Sequence, residues 1–325
     1  MKILVIGAGV IGSYLAHVLH RAGNEVTLLA RGAWMDQLRS NGLRIHHQLQ
    51  RKDTMDILRI IDHVDDCRYD AVFAVMQHQQ MWSVLDDLAR VNTDLVALVG
   101  NNMSAGEMEQ EIHAREASSR TVLFGFQGTA GCREDGRIIS VHMKDGSMSL
   151  GCLHSPPSTE IMARVEAMFH GTAYRLTWTQ DMEAWYRTHL TLILPTCYLC
   201  YAADCDLRHV TRQQRKLLLD AANEACGLLT AIGSSILPEG EESYYRPGFN
   251  RMLMAAMVFV MAKTIVGELV ASEHCRHAVT EMEGLDAAFH ALRLQAPDFA
   301  MPAWDALRSA MPAWRELHKR WDKQK

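Results

Sequence analysis

The feature that most constrains the fold is a glycine loop that follows the first strand-like segment of the chain. Residues 7–12 read Gly-Ala-Gly-Val-Ile-Gly, and residues 3–6 before them are uninterrupted apolar residues rich in β-branched side chains. Such a run is typical of a strand buried on both faces of a parallel sheet. After the loop, apolar residues recur at helical spacing up to Leu19, and Gly23 suits the end of a helix. The segment therefore predicts a strand, a tight turn and a helix.

This arrangement is typical of a Rossmann dinucleotide-binding unit. The first glycine permits the tight turn, the second lets the backbone approach a pyrophosphate, and the third lets the helix pack on the strand. The N-terminus of the helix then binds phosphate through its unpaired N–H groups. We expect the cofactor to contact the whole loop, which comprises Gly7, Ala8, Gly9, Val10, Ile11 and Gly12.

The residue that follows the second strand indicates which nicotinamide cofactor is bound. An acidic residue there accepts from the ribose 2′-hydroxyl of NAD, whereas a basic residue pairs with the 2′-phosphate of NADP. The segment after the strand over residues 25–30 places Arg31 at this point, with no acidic residue before Asp36. Guanidinium suits bidentate phosphate recognition, so the sequence favours NADP(H).

Composition and charge exclude several classes of protein. The chain has 325 residues, 48% of them hydrophobic and 22% charged, with a formal net charge of −5. This balance indicates neither a nucleic-acid partner nor an anionic membrane surface. The chain begins directly on a core strand, which leaves no room for a signal peptide, and we expect a cytoplasmic protein. The apolar segment 252–271 contains Lys263 and Glu268 and is interpreted as a buried core helix.

The eight cysteines are interpreted as reduced packing thiols, and we expect no metal site. The densest group, Cys197, Cys200 and Cys205 with His209, lies in a predicted helix without a second Cys/His pair at zinc-ligand spacing.

The periodicity divides the chain into an α/β part and a helical part. Short apolar runs at 71–75 and 95–99 predict further strands, and the segment 121–151 predicts an antiparallel addition to the sheet. Long helical patterns dominate from residue 179 onward. The predicted domains are a Rossmann domain over 1–178 and an all-α substrate and dimerisation domain over 179–325.

Several longer segments resemble the ketopantoate reductase (2-dehydropantoate 2-reductase) family. They are LVGNNMSAG, VLFGFQGTAGCREDGRIISVHMKDGSMSLG, DMEAWYRTHLTLILP and TEMEGLDAAFHALRLQAPDFAMPAWDAL, which begin at residues 98, 122, 181 and 280. The resemblance implies an NADPH-dependent oxidoreductase with a Rossmann N-terminal domain and an all-helical C-terminal domain.

The resemblance also implies further site residues. Asn101 matches the family asparagine near the nicotinamide, although Asn102 could take this place because the following glycine is missing. Met76 or Gln77 stands where the family has a lysine at the end of a strand. Glu281 matches the acidic residue of the Thr-Glu-Ile-Asp motif, which contacts cofactor or substrate.

The catalytic residues of the family are not preserved. The family uses a lysine on the first helix of the second domain to protonate the carbonyl oxygen, and asparagines one and two turns later to hold the substrate. Alignment on Pro195 places Tyr186, Leu190 and Leu194 at these positions, and alignment on Trp185 places Arg187, Thr191 and Pro195 there. Neither alignment restores the triad, so ketopantoate is not the expected substrate.

Two side chains on this helix segment could replace the lysine as proton donor. Tyr186 and His189 share one face at i, i+3 spacing, and either can donate a proton. The predicted catalytic set is therefore Tyr186 or His189, together with Glu281.

Two functions are compatible with the sequence. The first is NADP(H)-dependent hydride transfer to a C=O or C=N bond of a small substrate more apolar than ketopantoate. The second is an NADP(H)-binding protein that has lost catalysis and has a regulatory or redox-sensing role. Either function is compatible with a homodimer. Turnover of NADPH separates the two functions.

Overall fold

The fold was examined in a computed structural model that describes residues 1–115 and 120–321. The chain divides into two compact units, Met1–Met182 and a second that starts at Glu183. The strands of the first unit, in chain order, are β1 (Lys2–Ile6), β2 (Glu25–Leu29), β3 (Leu43–His47), β4 (Lys52–Asp56), β5 (Arg59–Ile61), β6 (Ala71–Val75), β7 (Leu95–Val99), β8 (Thr121–Gln127), β9 (Ala130–Glu134), β10 (Arg137–Val141), β11 (Ser147–Gly151) and β12 (Arg175–Trp178).

Eight strands form the main sheet in the spatial order β12-β11-β8-β7-β6-β1-β2-β5. β1 lies at its centre and pairs in parallel with β2 and β6, so that Ile3 is opposite both Val26 and Ala71. The residues of β1 from Ile3 to Ile6 are at most 1% exposed, as a strand covered on both faces requires. The sequence-predicted strands at 71–75 and 95–99 are confirmed as β6 and β7.

The helices of the first unit connect these strands. They are α1 (Val10–Arg21), α2 (Gly32–Asn41), α3 (His78–Met81), α4 (Leu85–Arg90), α5 (Ala105–Arg115) and α6 (Thr159–Met168), with a 3₁₀ turn at Trp82–Val84. α1 ends where Gly23 adopts φ +86°, a conformation that glycine accepts without strain. The Ser158 hydroxyl caps α6 by accepting a hydrogen bond from the Ile161 N–H.

The second sheet corrects the sequence prediction for residues 121–151. β8 runs parallel to β7, and only β11 is an antiparallel addition to the main sheet. The hairpin of β9 and β10 instead joins β3 and β4 in a separate four-stranded sheet with the order β4-β3-β10-β9. Alternating short strands indicate pairing but cannot specify a distant partner, and here β3 precedes β10 by about ninety residues.

The second unit is helical in the part that the structure describes, so the predicted α/β architecture with an all-α C-terminal region is confirmed. Its helices are α7 (Met182–Ala202), α8 (Arg212–Ala231), α9 (Phe249–Lys263), α10 (Ile265–Gly267), α11 (Glu273–His277), α12 (Val279–Arg293), α13 (Pro302–Ala310) and α14 (Trp314–Trp321), with 3₁₀ turns at Leu207–His209 and Glu241–Tyr244 and a π-helical turn at Glu268–Ser272. A capping box between Thr211 and Gln214 starts α8.

Buried polar contacts link helices within the second unit. The Asp286 carboxylate of α12 accepts from the Tyr198 hydroxyl at 2.6 Å and from the Arg308 Nη2 at 2.9 Å. Phe289 stacks on Trp304 with ring centroids 4.2 Å apart. Because Tyr198 and Arg308 belong to different helices, this carboxylate fixes α7 and α13 relative to α12.

The prediction of a buried core helix over 252–271 is wrong. α9 ends at Lys263, and only Met254 and Ala262 of its fifteen residues are buried. An apolar pattern on all sides predicts that a helix is covered, and the described residues cover only one side of α9. No single described helix is long and apolar enough to cross a membrane. α9 and residues 265–277 satisfy that criterion only as a pair bent by 84°.

A buried histidine cluster joins α1 to the second sheet. The His47 Nδ1 lies 2.9 Å from the His142 Nε2, and the His142 Nδ1 lies 2.7 Å from the Lys144 carbonyl oxygen. Because a carbonyl only accepts, the hydrogen-bond pattern places a proton on the His142 Nδ1 and makes its Nε2 the acceptor for His47. Burial, reinforced by the charge of His17, lowers the pKa of His47 to about 4. Both imidazoles of this pair are therefore neutral near pH 7.

We predict that acidification destabilises the first unit through this pair. Above the ordinary histidine pKa of about 6.5 both folded and unfolded states are neutral. As the pH falls toward about 4, the unfolded state takes up protons while the folded state does not. The unfolding free energy should fall by about 1 to 3 kcal/mol over this window. Amide hydrogen exchange in β3 and β10 at about pH 7 and about pH 4.5 measures the loss.

The variant His47→Gln should remove part of this pH dependence. His63→Gln is the control, because the His63 side chain is 83% exposed. A His47→Gln protein with the full pH dependence of the wild type would contradict the assignment.

Candidate active site

Two glycines of the loop are required by close backbone contacts, whereas Gly9 borders open space. Gly7 adopts φ +107°, and a Cβ there would lie 2.3 Å from the Val75 carbonyl oxygen. A Cβ on Gly12 would lie 1.9 Å from the Gly7 carbonyl oxygen. At Gly9 no atom would come within 4 Å of an added Cβ. The first and third glycines therefore hold α1 against the strands, and the second borders open space.

The start of α1 can receive an anion. Gly9 is its N-terminal capping residue and provides no side-chain hydrogen bond, so the cap leaves the first amide N–H groups for a ligand. The first turn contains no acidic residue. The open face at Gly9 and the uncapped helix end together fit the pyrophosphate of a dinucleotide.

The loops that follow three neighbouring strands meet beside the glycine loop. The Met76 carbonyl oxygen lies 2.6 Å from the position of an added Cβ on Gly100, and the Met76 Cε lies 3.5 Å from that on Gly7. These residues follow β6, β7 and β1, whose carboxyl ends form one edge of the sheet. Ligands of open α/β sheets bind at this edge. Gln77, the capping residue of α3, accepts a hydrogen bond from the Gln79 side chain.

Of the two asparagines that follow Gly100, Asn102 has a role in local structure. The Asn102 Oδ1 accepts from the Ser104 N–H at 3.0 Å, and its Nδ2 lies 3.3 Å from the Met108 sulfur. Asn102 therefore stabilises the turn before α5. Asn101 is also buried and directly follows Gly100.

Arg31 lies at the end of β2, where the sequence predicts the receptor of a 2′-phosphate. It follows β2 and caps the start of α2, and its side chain is exposed. Its guanidinium makes no ion pair with any residue that the structure describes.

In the second unit, α7 carries a stacked pair of aromatic rings. The rings of Trp185 and His189 stack with centroids 5.1 Å apart and planes inclined by 18°. Burial, together with the nearby His274, lowers the pKa of His189 to about 4. His189 is thus a neutral imidazole near pH 7, which donates hydrogen bonds but is a weak source of protons. Tyr186 is only 2% exposed and contacts Trp185 edge-on.

Neither alignment of α7 places an exposed polar triad on this helix. Leu190 and Leu194 are 1% and 0% exposed. Arg187 forms an ion pair with Glu183 one turn away, and the Thr191 hydroxyl donates to the Thr188 carbonyl. Leu190 and Leu194 are therefore packing residues, and they give no evidence about the polarity of the substrate.

Glu281 has a histidine neighbour that the sequence analysis missed. The Glu281 Oε2 lies 3.6 Å from the His274 Nε2, and the two side chains are 3% and 37% exposed. The residues stand on α12 and α11, which are separated by a break at Ala278 with φ −127° and ψ 30°. Helical spacing could not pair them across this break. The π-helical turn directly before α11 is a further feature that is common at functional sites.

The Glu281 carboxylate and the His274 imidazole are neighbours, with the carboxylate buried and the imidazole partly exposed. The exposed part of His274 gives the pair access to solvent. Among the described residues, no group of three or more His, Cys, Asp or Glu side chains is arranged to hold a metal ion.

Comparison with known protein families finds a match in the first unit. The family model described as ketopantoate reductase PanE/ApbA matches residues 3–155. The uncharacterised oxidoreductase YkpB of Bacillus subtilis is 31% identical over 88 residues. That match covers 27% of this chain and 28% of the relative, so it spans little more than a quarter of either protein.

Solved structures share the fold over nearly the whole chain. A PanE/ApbA family ketopantoate reductase from Ralstonia eutropha JMP134 has a TM-score of 0.70 at 15% identity and covers 99% of this chain and 100% of its own. 2-Dehydropantoate 2-reductase from Methylococcus capsulatus has a TM-score of 0.68 at 15% identity, with 98% and 97% covered. D-mandelate dehydrogenase with NADH and anilino(oxo)acetate has a TM-score of 0.69 at 17% identity, with 99% of both chains covered.

We predict that alanine at Gly9 weakens cofactor binding, whereas alanine at Gly12 lowers the stability of the fold. Gly9→Ala should leave thermal stability unchanged but weaken NADPH binding by about tenfold or more, because the methyl group would occupy the open face at Gly9. Gly12→Ala should lower the unfolding free energy by about 2 to 4 kcal/mol, because its methyl group overlaps a backbone oxygen. Thermal melts and cofactor titrations measure both. Unchanged NADPH affinity in Gly9→Ala would argue against the loop as the pyrophosphate site.

Proposed function

We propose, from the match of residues 3–155 to the ketopantoate reductase family model, that the chain is an NADP(H)-dependent reductase of a small carbonyl substrate other than ketopantoate. We assign cofactor binding to residues 1–178 and the substrate-facing residues to 179–325. The proposed partner is a small molecule, without nucleic acid or membrane, and the proposed location is the cytoplasm.

The observation that carries the proposal is the glycine cradle with Arg31 beside it. Gly7 and Gly12 are held by backbone contacts, while Gly9 borders the space that a pyrophosphate needs. Arg31 supplies a positive charge at the end of β2, where the cofactor ribose lies in Rossmann folds. Met76, Gln77 and Asn101 complete the proposed cofactor-facing edge. The bound nicotinamide would supply the hydride, and the protein must supply the proton.

We assign the two tasks of the family's lysine to different residues. His189 is neutral near pH 7, so it is proposed to orient the substrate carbonyl as a hydrogen-bond donor. The proton that converts the resulting alkoxide to an alcohol is proposed to come from the Glu281–His274 pair. Solvent then reprotonates His274 through its exposed part. Tyr186 stays a predicted alternative donor, although its burial makes it less accessible.

The proposed substrate is a 2-oxo acid with an apolar side chain. The missing lysine and asparagines would leave ketopantoate without its usual partners, and buried polar contacts of this kind are each worth about 1 to 3 kcal/mol. Trp185 instead offers an aromatic surface next to His189. The D-mandelate dehydrogenase that shares this fold is described with anilino(oxo)acetate, a compound of this type.

A spectrophotometric assay of NADPH oxidation tests the function. The panel should contain phenylglyoxylate, branched aliphatic 2-oxo acids, ketopantoate and cyclic imines. We expect the best substrate to exceed ketopantoate by about a hundredfold or more in kcat/KM, equivalent to about 3 kcal/mol. Efficient reduction of ketopantoate would refute the substrate assignment. Tight NADPH binding without turnover of any compound would favour the alternative, a cofactor-binding protein with a regulatory or redox-sensing role.

We predict that Arg31 determines the preference for NADPH over NADH. Arg31→Ala should lose about 1.5 to 3 kcal/mol of NADPH binding with little effect on NADH, because a charge-assisted phosphate contact is lost. Calorimetric titration with both cofactors gives the result. Arg39→Ala, in the last turn of the same helix, is the matched control. Equal affinities for NADPH and NADH in the wild type would refute the prediction.

We predict that His274 controls proton supply. His274→Gln should lower kcat by about 10- to 100-fold and flatten the pH–rate profile, since the amide cannot carry the proton. The dissociation constant of NADPH should not change. His277→Gln on the same helix is the control, because its side chain is 63% exposed. A His274→Gln enzyme that keeps the wild-type pH profile would exclude this role of His274. The proposed cofactor binding does not depend on that result.

A further inference from the structure

A second arginine lies beside the start of α2. The Arg133 Cζ lies 5.3 Å from the centre of the Trp34 ring, and Trp34 is the third residue of that helix. Arg31 is the capping residue directly before the helix. The side chains of a capping residue and of the third helical residue are close neighbours. Arg31, Trp34 and Arg133 are therefore grouped at the start of α2.

The strand register explains why Arg133 faces this helix. Arg133 is opposite Ile138 in the β9–β10 hairpin, and Ile138 is opposite Ile45 of β3. Residues directly opposite each other in a sheet point to the same face. Ile45 and Ile138 are fully buried in a core cluster that also contains Leu38 of α2. Arg133 is therefore on the face of the second sheet that packs against α2.

The turn of the hairpin is held on the same helix. The Gln37 Nε2 of α2 donates to the Gly136 carbonyl oxygen at 3.2 Å. Gly136 adopts φ +69°, and a Cβ there would lie 2.6 Å from the Gln37 Nε2. This close contact leaves the hairpin little freedom to move relative to α2. The position of Arg133 over Trp34 is thus set by the packing of the hairpin.

The Arg133 guanidinium keeps its positive charge without an acidic partner among the residues that the structure describes. Its side chain is exposed, and its contact is with the Trp34 ring. Glu134 is next in the chain, but successive side chains of a strand point to opposite faces. Glu134 is opposite Arg137, which pairs with Asp53 on that other face. The acidic residues of the sheet edge therefore lie away from the start of α2.

We propose that Arg133 is a second receptor for the 2′-phosphate of NADP(H) and that it determines cofactor preference together with Arg31. The inference rests on the proposed function, in which Arg31 binds this phosphate. A phosphate monoester has three acceptor oxygens and a charge of about −1.5 to −2 near pH 7, so one guanidinium neutralises it only in part. A second guanidinium supplies the remaining charge and further planar donors.

The contact with Trp34 suits Arg133 to this role. A long side chain loses conformational freedom when it binds a ligand, and a guanidinium that already lies on an aromatic ring loses less. An exposed contact between a cation and a ring contributes little to the stability of a fold. Substitution of Arg133 should therefore affect phosphate binding while the first unit stays folded.

The test is calorimetric titration of the full chain with adenosine 2′,5′-bisphosphate and adenosine 5′-monophosphate, which differ only in the 2′-phosphate. We expect Arg133→Ala to weaken binding of the bisphosphate by about tenfold or more and to change binding of the monophosphate by less than about twofold. Arg133→Lys should recover part of the affinity, because it keeps the charge but loses the planar donors. The double variant Arg31→Ala, Arg133→Ala should bind both nucleotides equally.

Arg137→Ala is the matched control. Arg137 belongs to the same hairpin but lies on the opposite face of the sheet, where its Nη1 is 3.8 Å from the Asp53 Oδ1. Its substitution should leave the preference for the bisphosphate unchanged. Thermal melts of the Arg133 variants should match the wild type, which separates a lost phosphate contact from a loss of folded protein.

Two results would overturn the role of Arg133 alone. The first is an Arg133→Ala protein that binds the bisphosphate as tightly as the wild type, while Arg31→Ala loses the preference. The second is an equal loss of affinity for both nucleotides in Arg133→Ala, which would assign the residue to the nucleoside or to the fold. A wild type that binds neither nucleotide nor NADPH would refute the proposed function itself, and this proposal with it.

Discussion

The fold depends on the close approach of α1 to the Gly7 carbonyl oxygen. A Cβ on Gly12 would lie 1.9 Å from that oxygen, so only glycine permits the helix to start where it does. This contact directs the N-terminus of α1 toward the carboxyl edge of the sheet. The same edge brings the residues after β6 and β7 beside the loop. The position of the proposed cofactor site therefore follows from one steric requirement at the centre of the sheet.

In the proposed mechanism, burial divides the task of one catalytic lysine between several residues of the second unit. A lysine can both bind a carbonyl oxygen and protonate it. In this chain the buried imidazole of His189 has its pKa lowered to about 4, so it can donate a hydrogen bond but holds no spare proton near pH 7. The proposed proton donor is instead the pair of His274 and Glu281, whose side chains lie 3.6 Å apart. The partly exposed histidine of this pair can exchange protons with water, as repeated turnover requires.

The apolar sequence of α9 did not predict its environment in the fold. Apolar residues on all sides of a helix indicate that the helix is covered, because exposed apolar area on this scale is unfavourable in water. The pattern cannot state what covers the helix. The described chain buries only Met254 and Ala262 of α9 and leaves most of its other apolar residues exposed.

The sequence by itself determined the features that depend on neighbouring residues. The glycine loop, β1, β6, β7 and the start of α8 follow from short apolar runs, turn glycines and caps, and the family segments identified the fold. Tertiary structure decided the rest. It placed the β9–β10 hairpin beside β3, tied Asn102 to the turn before α5, brought His274 near Glu281 across a helix break, and left α9 exposed. These outcomes depend on contacts between residues far apart in the chain or across breaks in regular structure, and no local periodicity encodes them.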